Sequence, residues 1–103
     1  MTTKKLKLFM LLSGQEVLAE LVHAVDPECS DAFIIKHALI TQWVPVRGTN
    51  EYMIGFLPLS TSNEDGEQRI YNRAVAAESI IIPKDIADAY IKRTAPPSVI
   101  LRT

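Results

Sequence analysis

Between Lys7 and Thr41 three apolar runs follow one another with only short polar turns between them, and no other stretch constrains the fold as strongly. Lys7–Leu12 leads into Ser13-Gly14-Gln15-Glu16, Val17–Val25 leads into the proline-containing turn Asp26–Asp31, and Ala32–Thr41 follows. Runs of this length between glycine- and proline-bearing turns predict a three-stranded antiparallel meander. Three strands with a covered face can seed a domain where two cannot. In the first strand Leu6, Leu8, Met10 and Leu12 share one face, and Lys5, Lys7, Phe9 and Leu11 share the other. A short helix around Thr3–Lys7 is the weaker reading of that segment. In the second strand Val17, Ala19, Leu21, His23 and Val25 oppose Leu18, Glu20, Val22 and Ala24. In the third, Phe33, Ile35, His37 and Leu39 oppose Ala32, Ile34, Lys36, Ala38 and Ile40. Neither face is cleanly polar, although a sheet with one wet face should alternate. A small closed barrel whose outer face packs on a neighbouring molecule accounts for this.

Downstream segments close or extend that sheet. Gln42–Asn50 reads as a loop around Trp43, Pro45 and Arg47-Gly48-Thr49-Asn50. Glu51–Leu59 reads as a fourth strand, with Gly55 marking a sharp bend of the barrel-corner type. Ser60–Gly66 is turn-rich, acidic and exposed. A weaker strand signal runs through Arg69–Asn72, and Ser79–Ile82 reads as a short final strand. Pro83 stops it, and Lys84–Thr94 predicts a helix with Ile86, Tyr90 and Ile91 on one stripe. Asp85 near its start and Lys92-Arg93 at its end suit the helix dipole. Pro96-Pro97 ends the helix, and Val99-Ile100-Leu101 makes the 95–103 tail apolar enough to dock on another surface. The fold expected is mainly β: a small five-stranded SH3-like or OB-like barrel over residues 6–82, with a C-terminal helix over 84–94. Residues 1–103 read as one domain.

Composition narrows the function. Hydrophobic residues make up 48% of the 103, which is high for a domain of this size, and self-association is the simplest outlet for the surplus. With 11 basic and 12 acidic residues the formal charge is −1. A duplex-DNA binder carries a basic excess, so duplex DNA is not an expected partner. The single cysteine, Cys29, rules out an internal disulfide and a multi-thiolate metal site and fits a reducing compartment. No run reaches the roughly 18 apolar residues of a membrane span, and no signal-peptide pattern opens the chain. A cytoplasmic protein is expected.

The run Leu11-Leu12-Ser13-Gly14-Gln15-Glu16-Val17-Leu18-Ala19-Glu20-Leu21, followed by Val25-Asp26, resembles the first signature motif of the Sm-like (LSm) proteins. Gly14 takes the turn glycine, Ala19 the small position, Leu21 the leucine after it and Asp26 the aspartate. Ser30 stands where the family places an asparagine, with Asp31 next. Arg47-Gly48-Thr49-Asn50 imitates the second motif but precedes the fourth strand. Asn72 and Arg73 lie in the long connection where a replacement for that motif belongs. The resemblance covers about the first 41 residues. It implies a five-stranded Sm-like barrel that pairs its fourth strand with the fifth strand of the next copy, closing a homo-oligomeric ring. It also implies single-stranded RNA binding through Asp26, Ser30, Asp31, Asn72 and Arg73. The rival reading is a ring or adaptor that binds protein and has no RNA role, favoured by the acidic 60–66 loop.

Other chemistries are weaker. His23, Asp26, Glu28, Cys29, Asp31 and His37 are all metal-ligand types, but they lack paired ligand spacing. They read better as solvated turn acids and two partly buried histidines. No orienting group accompanies Cys29 with a histidine, so no nucleophile, catalytic residue or cofactor is expected and the chain does not read as an enzyme. Arg47, Arg69 and Arg73 could each meet phosphate, though each reads first as a surface arginine. Trp43, Tyr52, Phe56 and Tyr71 read as core or interface residues.

Overall fold

The computed structural model describes residues 5–60 and 66–94; the expected polar lead-in, most of the acidic loop and the apolar tail fall outside them. The strands are β1 (Leu6–Leu11), β2 (Glu16–His23), β3 (Ala32–Pro45), β4 (Tyr52–Pro58), β5 (Glu67–Tyr71) and β6 (Val75–Glu78). A 3₁₀ turn, Asn72–Ala74, links β5 to β6, and helix α1 spans Lys84–Thr94. The fold is therefore mainly β, one antiparallel sheet of six strands with a C-terminal helix. The meander β1-β2-β3 forms as its apolar runs dictate. Gly14 closes the first turn at φ +93°, a left-handed conformation that glycine adopts without steric penalty.

β3 carries the main irregularity. Leu18 pairs with Leu39, but Glu20 pairs with Lys36, so β3 holds one residue more than β2 across this interval. His37, at φ +53°, is the left-handed residue of this bulge. The extra residue reverses the alternation. Phe33 and Ile35 before it, and Ala38 and Ile40 after it, pack in one cluster, while Leu39 turns to the opposite face. The expectation that Phe33, Ile35, His37 and Leu39 share a face fails here for that reason. The bend lies at this bulge and not at Gly55: β3 and β4 pair without interruption from Leu39↔Pro58 to Pro45↔Tyr52. Trp43 and Val44 pair with Ile54 and Met53 in that ladder, so β3 runs on to Pro45 where a loop was expected.

The strand path is β4-β3-β2-β1-β6, with β5 also on β3. β3 gives its first residues, Ala32–Lys36, to β5 and its last, Leu39–Pro45, to β4. The sheet is six-stranded and is not closed by hydrogen bonds, so the expected five-strand closure is not what the pairing gives. Instead, β5 ends opposite Ala32, and three residues later β6 starts opposite Leu11. Chain continuity thus carries the sheet from the β3 edge to the β1 edge. The last strand also differs from the expected Ser79–Ile82. β1 pairs with Val75, Ala77 and Glu78, tertiary pairing overriding the low strand propensity of alanine and glutamate. Ile80 and Ile81 are left 98% and 80% exposed.

Both faces of the sheet are apolar because both are covered. One cluster holds Phe9, Val17, Ala19, Phe33, Ile35 and Ala38, and Phe9 meets Phe33 edge-on at 5.4 Å. The other holds Leu8, Leu18, Leu39 and Tyr90, with Ile86 and Phe56 against it. The outer face is covered by the chain's own helix, where a neighbouring molecule was expected. Tyr90 is fully buried and donates its hydroxyl to the His37 carbonyl at 2.6 Å, fastening α1 to the bulge.

Candidate nucleic-acid interface

The turn between β2 and β3 is built around Asp26. Its backbone N–H donates to the Ala32 carbonyl (2.8 Å), and the Cys29 N–H donates to the Asp26 carbonyl (3.1 Å). Pro27 starts the turn, and the Asp26 carboxylate accepts from the Glu28 backbone N–H at 2.9 Å, the local bond that suits aspartate to such turns. This acid is no solvated turn residue: Asp26 is 4% exposed. Arg69 of β5 accounts for the difference, since its Nε donates to the second oxygen of the Asp26 carboxylate. Its Nη2 reaches Glu28 at 3.1 Å, and Tyr71 is a further hydrogen-bond partner. The Glu28 N–H, helped by Arg69, holds the Asp26 carboxyl below the usual aspartate range against the desolvation that would raise it. Asp26, ahead of Tyr71, pushes the Arg69 guanidinium above its usual value.

A second stitch joins the same two segments. The Asn72 N–H donates to the Asp31 carbonyl at 2.8 Å. Beside it the Arg73 guanidinium lies 4.8 Å from the centroid of the Tyr71 ring, a cation–π contact. The five predicted site residues therefore meet at one joint, although more than forty residues separate Asp26 from Asn72 in sequence. Ser30, Asp31, Asn72 and Arg73 are exposed there, and Asp26 is buried beneath them. Charge at the joint is mixed, with Asp26, Glu28 and Asp31 set against Arg69 and Arg73.

Other candidates lie apart. Arg47 sits in the exposed turn after β3, at the far end of that strand from the joint. Cys29 is half-buried, His23 is exposed, where partial burial was expected, and His37 forms the bulge. Among the described residues no group of three or more His, Cys, Asp or Glu side chains could hold a metal ion. No described helix is long and apolar enough to cross a membrane. Sequence reasoning treated Arg69 as one phosphate-contacting candidate among three and missed its partner. The signal was an arginine in a strand able to pair near Asp26. Lys7 and Glu78, which face a cleft beside the joint, were not singled out at all.

No family model and no curated protein matches this chain.

Proposed function

We propose that this chain is an Sm-like, barrel-forming subunit of a homo-oligomeric ring that binds single-stranded RNA, in a cytoplasmic setting. The observation that carries the reading is the joint itself: the turn after Asp26 and the 3₁₀ turn at Asn72-Arg73 are tied together by Asp26–Arg69 and by Asn72–Asp31. These are the two segments that the resemblance assigns to RNA. Arg73 supplies the cation and Tyr71 the aromatic surface that phosphate and base recognition require. Assembly is supported by the ends of the strand path. β4 and β6 are its terminal strands, and an edge left open invites pairing with another copy. Exposed Tyr52 and Met53 on β4, and Ile80 and Ile81 just past β6, are apolar side chains that pairing of the two edges can cover. Pro58 contributes no donor to that ladder. Repetition around a ring multiplies Arg73, so a chain of charge −1 can still offer a basic track.

Native mass spectrometry and filter binding on uridine-rich and adenine-rich oligonucleotides test this together. The expected result is one closed oligomer and salt-sensitive micromolar binding that Arg73→Ala weakens at least tenfold. A monomer at high concentration overturns the ring. The protein-binding ring is the second reading, favoured by the excess of acids at the joint. An intact oligomer that binds no RNA at low salt selects it.

A further inference from the structure

Next to the joint an open cleft of about 230 Å³ is lined by Lys7, Ala24, Phe33, Asn72, Val75 and Glu78. Lys7 of β1 and Glu78 of β6 form its polar wall, Nζ to Oε2 at 2.8 Å. The Lys7 ammonium also lies 4.7 Å from the centroid of the Phe33 ring, and Phe33 belongs to the buried inner cluster. The Lys7 side chain is only 17% exposed, while that of Glu78 is 53% exposed. A half-exposed ion pair adds little to stability, so its placement on the cleft wall invites a functional account.

We propose that this cleft takes the guanine base of a single-stranded RNA, a proposal that rests on reading the adjoining joint as an RNA-binding surface. Size suits a planar ring system. The volume exceeds the roughly 150 Å³ that accommodates a benzene ring and falls short of the roughly 300 Å³ where pockets for drug-sized ligands begin. One fused ring system fits, and the open side leaves an attached ribose and phosphate outside. Chemistry selects among the bases. The wall offers a carboxylate acceptor beside an ammonium donor. The Watson–Crick edge of guanine is the complement: N1–H and the N2 amine donate side by side, and O6 accepts. A carboxylate has about four acceptor sites, so Glu78 can keep Lys7 while it takes both guanine donors, and Lys7 can donate to O6. Adenine and uracil each bring a single donor group to that edge and leave the carboxylate half-used. Asn72 at the rim supplies an amide able to donate or accept, and its backbone is already fixed to Asp31.

The test is a titration of the full-length, isotope-labelled protein with GMP, IMP, AMP and UMP, followed by amide chemical shifts. GMP should bind on the order of tenfold more tightly than AMP or UMP, the scale of one good bidentate base contact. IMP, which lacks the N2 amine, should fall between them. Shifts should centre on Lys7, Phe33, Asn72 and Glu78. Glu78→Gln should remove the preference with an unchanged far-UV spectrum. Equal affinity for all four nucleotides, or a guanine preference that survives Glu78→Gln, overturns the proposal. A parallel comparison of uridine-rich RNA with and without one guanosine separates the two readings. RNA binding indifferent to the guanosine defeats the cleft and leaves the RNA surface. Selectivity for GMP with no RNA binding defeats the RNA surface and leaves the cleft.

Discussion

The Asp26 carboxylate collects a backbone N–H from its own turn and a guanidinium from a strand more than forty residues away. Its folded-state pKa lies below the ordinary aspartate value of about 3.9. The stabilisation it brings is therefore complete above that value and is lost as pH falls through the lower, folded-state pKa. Urea midpoints measured from pH 6 down to pH 2 should show this acid-side loss, and Asp26→Asn should flatten that part of the profile. Two glycines make a contrasting pair. Gly14 has open space around it but a positive φ, so Gly14→Ala should cost on the order of 1–2 kcal/mol from backbone strain alone. A Cβ on Gly55 would come within 2.8 Å of a Val44 methyl group. That methyl is one bond from the Cβ of a β-branched side chain that is stiff at χ1, so Gly55→Ala should cost as much or more, about 1–3 kcal/mol. Thermal melts of the two variants settle the order.

Helix α1 is held by packing and by the hydrogen-bonded Tyr90 hydroxyl at its centre. Ile86 and Tyr90 press on Leu8, Leu18 and Leu39, and the Tyr90 ring meets Phe56 at 6.2 Å. Tyr90→Phe keeps the ring and removes the buried hydroxyl with its hydrogen bond to the His37 carbonyl, at a cost of about 1–3 kcal/mol. Burial, then the nearby Glu20 carboxylate, pushes the Tyr90 phenol above its ordinary value. A raised phenol stabilises fully below the unfolded-state value of about 10 and stops doing so as pH rises through the folded-state value. The native protein should lose stability above about pH 10, and Tyr90→Phe should remove that step; circular dichroism against pH measures both. The helix and the opening meander are legible in the sequence, because Ile86 and Tyr90 repeat at helical spacing and Gly14 and Pro27 punctuate runs of clear period. The bulge is not, since no glycine marks it and a positive φ is uncommon at any other residue. Nor is β6, whose Val75-Ala76-Ala77-Glu78 forms a strand only because β1 offers it an edge. The joint is half legible: its turns can be named from sequence, but Arg69 becomes a partner of Asp26 only once β5 lies along β3.

At the scale of the whole molecule, apolar surface remains after both clusters are filled. Trp43 and Tyr52 are each more than 60% exposed, and Met53 and Leu57 accompany them on the β3–β4 hairpin. These side chains occupy both faces of a ribbon whose outer strand ends the sheet, a pattern that monomers avoid. Ile80→Asp and Met53→Lys touch no core residue, so each should leave the melting temperature of the isolated subunit within a few degrees. Each should also break the oligomer, read as a drop in mass by light scattering. If mass stays unchanged in both, the β4–β6 contact is not the one used.

The displaced phase at His37 also bears on how this chain tolerates change in length. Removing that one residue would excise the bulge and restore plain alternation, with Ala38 still on the face of Ile35 and Leu39 still on the opposite one. A deletion or insertion within Leu39–Pro45, by contrast, would send every later side chain of β3 to the opposite side and lose its pairing with β2 and β4. A length change at the 46–51 turn would disturb no such parity, so viable insertions and deletions should gather there, with loss of His37 the one deletion that the middle of β3 can absorb.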